Sequence, residues 1–173
     1  MPELFTNEAY NYYKNFIYQE ERFRLLRQHN LPVTGSVPSR DWELFGAVLT
    51  GMQKTSVYGA DLQDYEVKSA VQGNSFEYQY HFKGGLGKLD EDMKVDHIFI
   101  SYSSDYKDVT VRLVKGEHLA PMFAGWRPEL VKNYAGPNRK LRFRRSIPYS
   151  TVAKHGQLIL QIAQGELQPP ATL

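Results

Sequence analysis

The sequence predicts a mixed α/β (α+β) chain, with helices first and then a largely antiparallel sheet flanked by helices. Three observations predict it. Apolar residues recur at threes and fours up to residue 50, short β-branched and aromatic segments separated by turn residues fill 55–114, and helical spacing returns after Gly116. At 173 residues, with 42% hydrophobic and 23% charged, the chain has the size and composition of one folded domain.

Thr6 or Asn7 is placed to cap a first helix. Its positions Tyr10, Tyr13, Phe16, Ile17, Phe23 and Leu26 read as one long amphipathic stripe, stopped by Asn30 and Pro32. After a loop over 32–39, Ser39 caps a second helix carrying Trp42, Leu44, Phe45, Val48 and Leu49, which ends near Gly51. Residues 55–60, 65–71, 75–82, 96–102 and 109–114 read as strands. Gly84 and Gly85 open a short helix around Leu89 and Met93. Residues 116–123 and 128–134 read as two short helices, with Pro128 at a first helical position. A Gly-Pro-Asn turn at 136–138 leads to a basic strand over 141–146, residues 157–163 form a last strand, and the tail from Gly165 frays.

Composition narrows the chemistry. The chain has no cysteine, which removes thiol nucleophiles, thiolate metal sites and disulfides. No apolar run is long enough to cross a bilayer and the N-terminus lacks the order of a secretory signal, so a cytoplasmic protein is expected. A net charge of +2 says little, but its distribution says more. Between Val131 and Gly156 stand Lys132, Arg139, Lys140, Arg142, Arg144, Arg145 and Lys154 with no acid, whereas Asp61, Asp64 and Glu66 cluster earlier. A basic segment beside an acidic centre suits a polyanion held over a metal site.

The stretch from Tyr58 to Ala70 carries the chemistry. If 62–65 turn between two strands, Asp61 lies opposite Glu66, with side chains about 5 Å apart on one face. Two carboxylates that close repel unless a cation sits between them, and hard oxygen ligands select Mg²⁺, with Mn²⁺ able to substitute. Strand alternation puts Lys68 on the face of Glu66 and turns Val67 into the core. Metal and ammonium together suffice for phosphodiester hydrolysis. The same spacing also fits a solvated ion pair on a surface strand.

Asp61 followed by Glu66-Val-Lys68 resembles the PD-(D/E)xK nuclease signature. The surroundings extend the likeness: residues 44–51 ahead of Gly59-Ala-Asp61, then Tyr65-Glu-Val-Lys-Ser69, a polar His-containing strand, and 95–102. In order and spacing these resemble the PvuII-like type II restriction endonucleases, over most of the chain up to about Gly156. The resemblance implies a restriction-endonuclease-like fold, a Mg²⁺-dependent homodimer clamping double-stranded DNA, and blunt-ended cleavage at a short palindromic site. It assigns Asp61 and Glu66 as metal ligands and Lys68 as the catalytic cation, with no nucleotide cofactor. The connection from Asp61 to Glu66 is shorter than in that family, which leaves Asp64 as an alternative ligand. The implied division is a helical dimerisation part at about 1–52, a catalytic and DNA-reading part at about 53–163, and a tail at 164–173.

Along 76–81, Phe76, Tyr78 and Tyr80 alternate with Glu77, Gln79 and His81, so one face packs and the other offers hydrogen bonds to base edges. The resemblance points to Gln79 and His81 as base readers, to Asn138 and Arg139 as a base-contacting turn, and to 34–40 as a minor-groove loop. Arg142, Arg144 and Arg145 are expected on phosphates. A phosphate loop at 84–88 is set aside, because Leu89 stands where Ser or Thr would be needed. The five scattered histidines offer no zinc spacing. Two other functions stay open: a structure-specific or repair-type nuclease of the same superfamily, and a non-catalytic DNA-binding protein.

Overall fold

The computed structural model describes residues 3–54 and 59–170. The expected strand at 55–60 lies outside them, except for Gly59 and Ala60, which are not in a strand. Helices α1 (Thr6–Tyr12), α2 (Glu20–Gln28) and α3 (Ser39–Thr50) come first, followed by β1 (Tyr65–Val71), β2 (Phe76–His81), α4 (Gly85–Asp92), β3 (Asp96–Tyr102) and β4 (Val109–Val114). Then come α5 (Gly116–Ala135), β5 (Arg142–Ile147), α6 (Tyr149–His155), β6 (Gln157–Ala163) and β7 (Glu166–Leu167). The fold class is the expected one: mixed α/β, with a largely antiparallel sheet flanked by helices.

Five strands form one sheet in the order β1-β3-β4-β6-β7, with β1 parallel to β3 and every other pair antiparallel. β2 leaves this sheet and pairs with β5 as a separate two-stranded ribbon. One face of the sheet, with Val67, Ile98, Ile100, Val111 and Ile162, packs on Tyr13, Phe23, Trp42 and Phe45 of the N-terminal helices. On the opposite face Phe99 and Val114 meet Tyr78, Tyr80 and Phe143 of the ribbon and Phe123 and Leu130 of α5. Each such buried side chain contributes about 1.5–3 kcal/mol. The sheet therefore separates two cores, and β1 is its edge strand.

The N-terminal stripe is not one helix. Ala9, Tyr13 and Ile17 are all buried at spacings of four, a pattern that drifts about 40° per step around an α-helix. A wider π turn over Tyr13–Ile17 absorbs the drift, Tyr18 breaks the helix, and α2 restarts with Phe23 in the core. The caps shift as well. Phe5 and Pro38 precede α1 and α3, and neither Thr6, Asn7 nor Ser39 caps through its side chain.

The two short helices expected after Gly116 are one helix, α5, running through Pro121 and Pro128. Each proline removes a backbone N–H, and burial of Leu119, Phe123 and Leu130 on both sides keeps the helix continuous. The tail does not fray at Gly165. Gln164 (φ 52) and Gly165 (φ 82) make a two-residue hairpin turn that folds β7 back on β6, and Tyr10 Oη donates to the Gly165 carbonyl at 2.8 Å.

Candidate active site

α3 sets one wall. Trp42 is fully buried and stacks on Tyr102 at 5.0 Å, which fixes the helix so that Ser39 and Glu43 open on a cleft of about 270 Å³. The helix lies close on β1 because Gly46 has no side chain: a Cβ there would stand 3.0 Å from Val67 Cγ2. The cleft is also lined by Asp61, Lys68, Ser69, Glu77 and Gln79. Groups from the acidic centre and from the proposed reading strand thus face one space.

Asp61 and Glu66 come together, though not as a regular cross-strand pair. A single bridge joins Leu62 to Tyr65, closing a turn over Gln63 and Asp64. Asp61 N–H donates to Glu66 Oε2 at 3.0 Å, and Val67 N–H donates to Asp61 Oδ2 at 3.1 Å. The interlock holds the two carboxylates beside one another. Glu66 is fully buried, and its Oε1 meets Lys68 Nζ at 2.6 Å and Lys88 Nζ at 2.9 Å. Among the described residues no hydrogen bond reaches Asp61 Oδ1. Asp64, the alternative ligand, is exposed in the turn with φ 64 and does not line the cleft.

Register explains the neighbours of this pair. Glu66 lies beside His97 and Lys68 beside Phe99, so the face of β1 that carries Glu66 and Lys68 looks toward the ribbon side of the sheet. There the Lys68 ammonium sits 4.7 Å over the Tyr78 ring. Tyr78 Oη bonds His97 Nδ1 at 2.8 Å, and His97 Nε2 bonds the Asp92 carbonyl at 2.8 Å. A carbonyl only accepts, so Nε2 carries the proton and Nδ1 accepts from the tyrosine. The Asp92 carboxylate takes Tyr80 O–H at 2.8 Å and Lys88 at 3.2 Å.

Helix α4 clamps the loop that carries Asp61. Glu91 Oε2 accepts Ala60 N–H at 3.1 Å, and Lys88 Nζ donates to the Gly59 carbonyl at 3.3 Å. Gly59 has φ 122 and lies against the Glu91 carboxylate, where any Cβ would collide. Lys88, Glu91, Asp92 and His97 belong to this site, yet the sequence reading left them unassigned. A Lys and an Asp four apart on a helix were the visible signal, hidden because the glycines ahead of Lys88 drew attention to a phosphate loop.

Burial and mutual repulsion divide the carboxylates. Burial, reinforced by the Glu66 charge, pushes Asp61 up to about 6. Burial works against the Glu66 anion too, but Lys68 and Lys88 outweigh it and hold Glu66 down at about 2. Burial and Glu66 raise Asp92 to about 6, and burial lowers His97 to about 4. For Lys88 burial lowers and the carboxylates Glu66 and Asp92 raise the pKa, with a net rise. Two carboxylates with such different proton affinities, one of them bound to two ammonium groups, form an arrangement typical of functional sites. Among the described residues no group of three or more His, Asp or Glu that could hold a metal ion converges.

The strand β2, expected to offer groups to base edges, alternates as its sequence predicts. Phe76, Tyr78 and Tyr80 are buried, Glu77 and His81 are exposed, and Gln79 is half-buried with its amide donating to Glu77. On β5, Arg144 pairs in register with Gln79 and Arg142 with His81, and both arginines are exposed. The Arg145 guanidinium is held by Glu129 at 2.5 Å and lies over Phe143. Asn138 is exposed after α5, and Arg139 stacks on Phe82 at 3.9 Å. In the expected minor-groove loop, Thr34 Oγ1 donates to the Ser104 carbonyl and Gly35 N–H to Tyr106 Oη, which pins it to the body of the protein. No helix among the described residues is long and apolar enough to cross a membrane. No protein-family model matches the chain, and no curated protein matches it in sequence.

Proposed function

We propose that this chain is a Mg²⁺-dependent endonuclease of the type II restriction kind, which hydrolyses phosphodiester bonds of double-stranded DNA at a short palindromic site. The observation that carries this reading is the interlock of Asp61 and Glu66 beside Lys68, on a cleft that Glu77 and Gln79 also line. Groups suited to hydrolysis and groups suited to reading bases share one space.

The donor set fits Mg²⁺. Asp61 keeps an oxygen free of hydrogen bonds among the described residues, Glu66 Oε1 already faces positive charge, and Mg²⁺ is commonly held by one or two carboxylates plus water and phosphate. When bound, the ion would supply Lewis acidity toward a phosphate oxygen and a bound water. The chain does the remainder. Lys68, fixed between Glu66 and the Tyr78 ring, holds an N–H donor toward the oxygen that attacks phosphorus and toward the charge that builds there. His97 locks Tyr78, so the ammonium does not have to be ordered during the reaction. The outward face of the β2–β5 ribbon supplies Gln79, His81 and Glu77 for base edges and Arg142 and Arg144 for phosphates. A homodimer would match a two-fold symmetric site, and the resemblance puts its interface on the N-terminal part, where Phe16 (58% exposed) and Leu25 (43%) are exposed apolar side chains.

The test is a plasmid of known sequence incubated with the protein, with and without Mg²⁺, followed by sequencing of fragment ends. Discrete Mg²⁺-dependent fragments are expected, with cutting reduced at least about a hundred-fold by Glu66→Ala or Lys68→Ala. Degradation without discrete ends would favour the structure-specific nuclease. Duplex binding that is equal in EDTA and Mg²⁺, with no cleavage, would favour the DNA-binding protein; the pairing of Glu66 with two lysines is compatible with that reading.

A further inference from the structure

The cluster around Glu66 contains more positive charge than the proposed hydrolysis uses. Lys68 lines the cleft; Lys88, arriving from α4, does not. Its Nζ stands 2.9 Å from Glu66 Oε1, 3.2 Å from Asp92 Oδ1 and 3.3 Å from the Gly59 carbonyl oxygen. Carboxylate and carbonyl oxygens converging on one point are the surroundings a hard cation takes, and here an ammonium occupies them.

The charges set the consequence. Asp61, Glu66 and Asp92 stand against Lys68 and Lys88, with Glu43 on the cleft and Glu91 beside Gly59 adding further negative charge. A divalent cation reaching Glu66 Oε1 would stand beside the two ammonium groups already on it, and that repulsion is strong at a fully buried carboxylate. A phosphodiester entering the cleft brings a negative charge that offsets this repulsion.

Resting on the nuclease reading, we propose that Lys88 is a positioning residue acting through Glu66: its ammonium engages Oε1 and holds back loading of the divalent cation until a DNA phosphate enters the cleft. Metal and DNA then favour each other's binding, as linkage requires of two ligands that share one charge balance. A lysine serving only to brace the loop would behave differently. Removing a brace slackens Asp61 and weakens metal binding, whereas removing a competing cation strengthens it.

The experiment is a titration of the DNA-free protein with Mn²⁺, followed by electron paramagnetic resonance of the free ion. Lys88→Met is expected to bind Mn²⁺ about ten-fold tighter or more, and Lys88→Arg to stay close to wild type. The double variant Lys88→Met/Asp92→Asn keeps the wild-type net charge while releasing Oε1, and it too is expected to bind tighter. Equal or weaker binding by a folded Lys88→Met or by the folded double variant overturns the proposal. Failure of both to fold, judged by circular dichroism, would make Lys88 structural and overturn it as well. The nuclease reading fails separately: Mn²⁺ binding that survives in Asp61→Asn and Glu66→Gln, or is missing from every variant, removes the metal site itself. Binding that those two changes abolish and Lys88→Met does not tighten removes only the role of Lys88.

Discussion

His97 shows how a single side chain ties the site to the pH dependence of the fold. Its imidazole is fully buried, donates from Nε2 to a carbonyl and accepts from Tyr78, and burial lowers it from the ordinary 6.5 to about 4. The unfolded chain therefore binds a proton more readily than the folded one as pH falls below 6.5. The stability from a neutral His97 is fully present above pH 6.5 and is lost as pH falls through about 4, a loss on the order of 3 kcal/mol. Asp61 and Asp92, raised to about 6, act in the opposite sense: their contribution is present below 3.8 and is lost as pH rises through 6. The His97 effect is thus read as a difference. Between pH 6.5 and 4 the urea midpoint of wild type should fall more than that of His97→Gln, and parallel pH profiles would refute the assignment. The same residue marks the limit of sequence reading. Asp61, Glu66 and Lys68 were legible because turn and strand spacing are local, while His97 joins them through a parallel pairing to a strand some thirty residues on, which no local pattern encodes.

At the scale of elements, the ribbon separates two kinds of arginine that look alike in sequence. Arg142 and Arg144 are exposed opposite His81 and Gln79, whereas Arg145 is taken up by Glu129. If the ribbon holds DNA, Arg142→Ala and Arg144→Ala should each weaken duplex binding and lower the slope of log K against log salt by about one. Arg145→Ala should leave that slope unchanged and lower stability by under about 1 kcal/mol, since the Glu129 pair is solvent-exposed. An equal loss of slope in all three variants would mean that the phosphate-contacting surface lies elsewhere. Strand existence was read well here because alternation of aromatic and polar residues is a strong signal. Strand partnership was not, and neither was the continuity of α5 through two prolines, because packing of Leu119, Phe123 and Leu130 overrides the local preference to stop. The hairpin at Gln164–Gly165 carried a usable signal, a two-residue turn containing glycine between strand-forming segments, that the reading of a frayed tail passed over.

At the scale of the molecule, the site lies where the two cores meet. Asp61 and Glu66 are carried by β1 and the loop before it, whose Val67 and Tyr65 belong to the core under the N-terminal helices. Lys68 and Lys88 are held by Tyr78, Tyr80 and α4, which belong with the ribbon and α5. A cation held by Asp61 and Glu66 would bind the folded chain and not the unfolded one, and would therefore stabilise both cores together. At a free concentration one hundred times its dissociation constant, Mg²⁺ should add about 2.7 kcal/mol to unfolding, which for a chain of this size is a rise in Tm of roughly 5–10 °C. Protons compete for Asp61, so the gain should be largest above pH 6 and shrink as pH falls below it. Differential scanning calorimetry with and without Mg²⁺ at pH 5 and pH 8 measures both effects. Asp61→Asn should abolish the rise at either pH, and a rise of equal size in that variant would show that the cation binds elsewhere on the protein.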